Sequence, residues 1–322
     1  MDDLKLTETW DKVFPKSDLV EHQKVTFQNH FGIRLVADLY KPKHKSGKLP
    51  AIAVAGPFGA VKEQASGLYA QEMAERGFLT IAFDPSYTGE SAGFPRYMHS
   101  PDINTEDFQA AVDYLSNLEN VDPEKIAIIG ICGWGGLALN ATAIDPRIKV
   151  TVASTLYDLS RVSGNGYFDE SDNEEARYQM RLALAKQRTE DFAKQSYQLA
   201  GGVVDPLPAD APQFVKDYYA YYKEPRGYHV RSLNSNEGWA AQAGTSLLNT
   251  RSLYYTDEIR NAVLIVHGDK AHSYYMGKDA FAKLTGKNKQ MITVEGASHC
   301  DLYDQKDVIP FDQIEAFIRQ QL

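Results

Sequence analysis

Between Lys125 and Thr142 the chain reads KIAIIGICGWGGLALNAT. An apolar, β-branched run enters a turn dense in glycine and leaves it as a helix-forming stretch. Gly130, Gly133, Gly135 and Gly136 allow tight turning and close packing that a Cβ would block. A strand that turns this sharply into a helix presents one side chain at its tip. The turn therefore asks which residue stands there, and why Trp134 lies inside it.

The rest of the chain supplies the frame for such a turn. KVTFQNHFGIRLVADLYKP (Lys24 to Pro42) alternates apolar and polar residues around NHFG, which predicts an antiparallel hairpin. LPAIAVAG (Leu49 to Gly56) is an unbroken apolar run, as a strand covered on both faces should be. Helical spacing then predicts a helix over Gln64 to Gly77, with Gly77 as C-cap. Strand and helix continue to alternate. Strands are expected at Phe78 to Pro85, Lys125 to Ile131 and Ile148 to Thr155, with helices at Asp102 to Leu118 and Gly136 to Asp145. After a gap come strands at Ala262 to Gly268 and Lys289 to Gly296, with helices at Gly277 to Gly286 and Ile309 to Leu322. This order predicts an α/β architecture with a mostly parallel sheet and helices on both faces.

Leu156 to Arg260 breaks the rhythm with the charged helical stretch NEEARYQMRLALAKQRTEDFAKQ and the tyrosine-rich FVKDYYAYYKEPRGYHV. Residues 156–260 read as an inserted, mainly helical cap over one end of the sheet. Residues 1–155 and 261–322 then form the core. Loops at the carboxyl ends of parallel strands usually build the pocket.

Composition narrows the chemistry. The net charge is −9 over 322 residues, which argues against a nucleic-acid partner, since that needs a basic surface. The start MDDLKLTETW lacks the features of a secretory signal, and no apolar run approaches a membrane span. Two cysteines, Cys132 and Cys300, are too few for a disulfide framework, so a cytoplasmic setting is expected. The histidines lack metal-ligand spacing and there is no phosphate-cradling GxxxxGK[ST] run. No metal and no cofactor is expected. A homodimer is left open.

AGPFGAVKEQ, AFDPSYTGESAG, IGICGWGG, IVHGDKAHS and VEGASHCDLYD occur in this order along the chain. Together they resemble the α/β-hydrolases, specifically those similar to dienelactone hydrolase. The resemblance implies an α/β-hydrolase fold with a nucleophile elbow, and two registers fit it. Cys132 at the tip leaves Gly130 two residues before it, as in the Gly-x-Cys-x-Gly-Gly turn of dienelactone hydrolase, but puts Trp134 where a small residue is expected. Trp134 at the tip has small neighbours but cannot attack a carbonyl. His299, in the loop after the last strand, is the implied base. The acid is implied on the loop after AVLIVHG, where Ala271 holds its place. Asp269 is two residues early, and Asp158 is a fallback. The backbone N–H groups of Phe58 and Gly133 are the implied oxyanion donors. Lys62 and Glu63 read as a structural pair.

The reading that follows is a hydrolase of an ester, lactone or related acyl compound, acting through Cys132, His299 and Asp269 on a small-molecule acyl substrate. Trp134, Tyr218 and Tyr222 are the expected substrate contacts. The alternative is a catalytically degenerate hydrolase that binds a small molecule or partner. Its grounds are Trp134 in the turn and Ala271 at the acid's place.

Overall fold

The structure, a computed structural model, describes residues 4–322. In chain order the elements begin with β1 (Val20–Gln28), β2 (Arg34–Pro42), β3 (Leu49–Ala55), α1 (Ala65–Glu75), β4 (Leu79–Phe83) and α2 (Pro101–Ser116). Next come β5 (Val121–Ile131), α3 (Gly133–Ile144) and β6 (Ile148–Ser154). The long connection after β6 holds α4 (Leu159–Asn165), α5 (Glu174–Lys194), β7 (Leu199–Gly201), α6 (Gln213–Tyr222), β8 (Gly238–Ala240) and α7 (Ala243–Leu248). The chain closes with β9 (Ala262–Gly268), α8 (Tyr274–Lys283), β10 (Lys289–Val294), α9 (Asp301–Asp304) and α10 (Phe311–Gln321).

Eight strands form one sheet in the order β1-β2-β4-β3-β5-β6-β9-β10. β1 and β2 form the expected antiparallel hairpin, and β2 runs antiparallel to β4. All other neighbours are parallel. The expected α/β class, with a mostly parallel sheet, is what forms. The connection between β6 and β9 is mainly helical, but β7 and β8 add a two-stranded ribbon.

Side-chain alternation along the central strands divides the interior between the two faces. Ile52, Val54, Ile129 and Ile131 pack with α1, α8 and α10 on one face. Ala51, Ala53, Ile126 and Ile128 pack with α2 and α3 on the other. The first face also receives Tyr221 and Tyr222 of α6, so the connection after β6 is packed into the core.

Helix α3 begins at Gly133, three residues before the expected start, because the glycine-rich turn already forms its first helical residues. Cys132 is its N-cap, with φ 59° and ψ −126°. That left-handed φ is uncommon for a side chain other than glycine, and it swings Cys132 to the face opposite Trp134. Trp134 is not at the tip. Its indole lies in the core, edge-on to Phe83 at 5.7 Å and Phe108 at 5.3 Å between centroids. The tight position is Gly130, where a Cβ would sit 2.1 Å from the Trp134 carbonyl oxygen. A small residue is therefore required two before the tip, while the residue two after it points into space that an indole fills.

Truncating a buried tryptophan leaves a cavity that the surroundings fill only in part. Trp134→Ala is expected to lose about 3–5 kcal/mol of stability, read as a lower urea midpoint. An unchanged midpoint would show that the indole is not a core element.

Candidate active site

β3 and β5 are neighbours, so the loops after them meet above the sheet. Phe58 comes from one loop and Cys132 from the other, and both line the same cavity. The Cys132 carbonyl accepts N–H bonds from Gly135 at 2.8 Å and Tyr157 at 3.0 Å, which pins the turn. Burial pushes the Cys132 thiol up from its ordinary pKa. The Tyr303 hydroxyl, the N–H groups of Gly133 and Phe58, and the Tyr218 hydroxyl act in the opposite sense on the sulfur. The two expected oxyanion donors thus lie near the sulfur, with Tyr218, an expected substrate contact, and Tyr303, which sequence reasoning did not place there.

His299 precedes α9 and is buried. Its Nδ1 lies 2.6 Å from Ser273 Oγ and 2.9 Å from Thr155 Oγ1. Thr155 holds a left-handed φ of 44°, an uncommon conformation for a β-branched residue. The other ring nitrogen, Nε2, is buried without a hydrogen-bond partner among the described residues. Burial lowers the His299 pKa well below its ordinary value, and His272 and His267 push the same way. The imidazole is neutral near pH 7. Tyr157, Tyr218 and Tyr303 pack around it at centroid distances of 6.1, 5.5 and 5.4 Å. All three also line the cavity at Cys132.

Among the described residues no carboxylate reaches Nδ1 of His299. Asp269 Oδ1 accepts the Gly296 N–H at 2.7 Å and its other oxygen faces Lys270, so Asp269 braces the loop and does not orient the imidazole. Asp158 caps α4, accepting from the Arg161 N–H and the Ser160 hydroxyl. Ala271 is buried at the acid's expected place. The polar partners of Nδ1 are hydroxyls, one each from the loops after β6 and β9. A lone serine or threonine carries no sequence signal for this role.

The cavity measures about 440 Å³. Its walls are Leu159 and Val162 of α4, Phe214, Val215 and Tyr218 of α6, Leu247 of α7, and Trp239 of β8. Among the described residues no lining side chain is a carboxylate or a cation. Of the expected substrate contacts, Tyr218 lines it. Tyr222 does not: it is fully buried behind, against Tyr218 and Tyr221. Trp134 lies below the sheet's end, in the core.

Beside Phe58 lies a buried ion cluster. The Lys62 ammonium contacts Glu63 at 2.7 Å, Asp84 at 2.8 Å and Glu90 at 2.7 Å. Lys24 adds to Glu90, and Arg231 to Glu63. Burial opposes the Lys62 charge, but the surrounding carboxylates hold its pKa above the ordinary lysine value. Burial also works against the Glu63 and Glu90 charges, yet Lys62 keeps both pKa values below normal, Glu90 at about 2. At Asp84 burial outweighs Lys62 and the pKa rises. Glu63, Asp84 and Glu90 converge as metal ligands could, but the ammonium holds them together. Lys62 and Glu63 are the structural pair the sequence suggested, extended into a network. Asp84 Oδ1 also accepts the Lys62 N–H at 2.8 Å, which ties the backbone of the loop carrying Phe58 to the end of β4.

Residues 32–301 match the X-Pro dipeptidyl-peptidase (S15) family. The chain belongs to that family. It is 52% identical over 321 residues to the uncharacterized protein PA2218 of Pseudomonas aeruginosa, covering 99% of this chain and 86% of that one. The solved structure of PA2218 superposes with a TM-score of 0.95, with 99% of each chain covered. The uncharacterized protein YcjY of Escherichia coli is 33% identical over 292 residues, 88% of this chain and 94% of that one. The thiohydrolase aneE of Aspergillus aculeatus is 31% identical over 132 residues, 41% of each chain. The α/β-hydrolase GrgF from Penicillium has a TM-score of 0.78 at 19% identity, covering 94% of this chain and 99% of that one. The chain has the α/β-hydrolase fold. No helix among the described residues is long and apolar enough to cross a membrane.

The buried histidines link this site to stability. Burial lowers His267 and His272 to about 4 each. Between those values and the ordinary 6.5 the unfolded chain binds protons that the folded chain refuses. Stability should therefore fall as pH drops from 6.5 toward 4, with no contribution from these groups above that window. Urea midpoints at about pH 7, 6 and 5 are expected to decline in that order. A His267→Asn variant should show a shallower decline. A flat profile in the unaltered protein would contradict a neutral buried cluster.

Proposed function

We propose that this chain is an acyl hydrolase in which Cys132 attacks a carbonyl and His299 moves the proton. Its substrate is a small ester, lactone or thioester with an apolar acyl group. The observation that carries this reading is the placement of Cys132 at the tip of the strained turn, under two backbone N–H donors. S15 peptidases are serine-type, so the cysteine marks a departure within the family. The dienelactone hydrolases, which this turn resembles, also use cysteine.

With Nδ1–H donating to Ser273 or Thr155, the lone pair of His299 lies at Nε2. The Sγ–carbon bond forms as the thiol proton passes to Nε2. The carbonyl oxygen becomes an oxyanion held by the N–H groups of Phe58 and Gly133, with the Tyr303 and Tyr218 hydroxyls alongside. The intermediate collapses, and the leaving alkoxide or thiolate takes the proton from His299. Water activated by the same imidazole then cleaves the acyl-enzyme. A thiol ionises more readily than a serine hydroxyl and needs less help from a carboxylate. That fits a histidine oriented by hydroxyls. The thiohydrolase among the relatives makes a thioester a natural candidate. A peptide N-terminus is a poorer one, because the described residues of the cavity offer its ammonium group no carboxylate. The degenerate reading retains the missing acid but loses its second ground, since Trp134 belongs to the core.

Short aryl esters and acyl N-acetylcysteamine thioesters are the assay substrates. Cys132→Ala should lower kcat by at least about a thousandfold, and His299→Ala by at least about a hundredfold. Ser273→Ala should lower kcat about tenfold with KM kept, because Thr155 still holds Nδ1. Asp269→Asn should leave kcat within about twofold of the unaltered enzyme. Full activity in Cys132→Ala would remove the proposed nucleophile. A collapse in Asp269→Asn would restore the carboxylate to the mechanism.

A further inference from the structure

α4 and α7 separate the apolar cavity from a second, polar one. Leu159, Val162 and Ser163 of α4 line the first, while Ser160, Arg161, Gly164 and Asn165 of the same helix line the second. In α7, Leu247 faces the first and Leu248 the second. The two chambers thus share a wall one helix thick. The polar one measures about 690 Å³, within the range of small-molecule sites.

Its charge is unusual for this chain. Cations exceed carboxylates in its lining by five to three, although the whole protein carries −9. Each carboxylate is already engaged. Asp279 pairs with Arg161 at 2.7 Å, Asp172 with Arg177 at 2.5 Å, and Asp158 caps α4. Arg181, Arg251 and Lys283 line the same cleft, and none has a carboxylate within ion-pair distance among the described residues. Three cations without counter-charges are brought to one concavity from α5, from the loop after α7 and from the end of α8. Thr250 and Ser252 add hydroxyls there. Guanidinium groups and hydroxyls arranged this way match a multiply charged oxyanion.

We propose that this cleft binds a phosphate-bearing small molecule of nucleotide size. Two sources share that chemistry: the carrier portion of a coenzyme A thioester, and a free nucleotide. The site stands on its own residues and does not depend on Cys132 chemistry.

The test is calorimetric titration of the full chain with coenzyme A, ADP and inorganic phosphate, in low salt and then in added salt. Binding of the two organic ligands is expected, with affinity falling as salt rises. The double variant Arg181→Glu/Arg251→Glu should weaken it by about tenfold or more. Arg251→Gln serves if the double variant does not fold, and Lys48→Glu controls for a distant charge change. Coenzyme A binding much tighter than ADP assigns the cleft to a thioester carrier, and equal binding assigns it to a nucleotide. The proposal is overturned if none of the three binds at about 1 mM, or if the cleft variants bind as well as the unaltered protein. Loss of esterase activity in Cys132→Ala leaves this outcome untouched, so the two readings fail separately.

Discussion

The turn between β5 and α3 is the constraint on which the site depends. Cys132 occupies a left-handed φ that disfavours a side chain, at a cost of about 1–3 kcal/mol. Packing on both sides of the sheet offsets it. Trp134 anchors the helix start among Phe83 and Phe108, and Gly130 lets the Trp134 carbonyl pass within a distance no Cβ would tolerate. Because the residues flanking Gly133 point to opposite faces, one short segment both builds the core and presents a thiol. The same geometry turns the Gly133 N–H toward the sulfur.

The second half of the oxyanion arrangement is positioned electrostatically. Phe58 sits on a loop whose continuation, Lys62 and Glu63, is buried in an ion cluster reaching Asp84 and Glu90. Removing one member of such a cluster leaves uncompensated buried charge, which is strongly destabilising. The cluster therefore specifies a single loop conformation in the way that apolar packing specifies the turn at Cys132. The three histidines near the site carry the opposite logic: burial keeps them neutral, so a proton acceptor is kept ready without a fixed charge.

Much of this was readable in the residues, and the failures have identifiable causes. The hairpin, the parallel strands and the helix after Cys132 follow from periodicity and turn chemistry, which are local. Elements went astray at their ends, as at α3, where glycine disguised the first helical residues. Asp269 was expected beside His299 because a carboxylate on that loop is the usual partner. The fold directs it to the Gly296 N–H, and Ser273, four residues on, reaches Nδ1. Tyr303 could not be singled out, since tyrosine is abundant and only packing decides which ring lines the cavity at Cys132. Tyr222 lies one helical turn after Tyr218 on α6, far enough along to be buried behind the cavity wall.

The residues by themselves determined the layered α/β architecture, the sharp turn at Cys132 and the loop that carries His299. Those depend on short-range patterns: apolar alternation, helical spacing and the freedom of glycine. Tertiary structure decided which side chain rises and which sinks, which groups hold the imidazole, and where uncompensated charge collects. Those outcomes depend on distances between segments far apart in the chain, and a linear pattern holds no record of them until the strands are side by side.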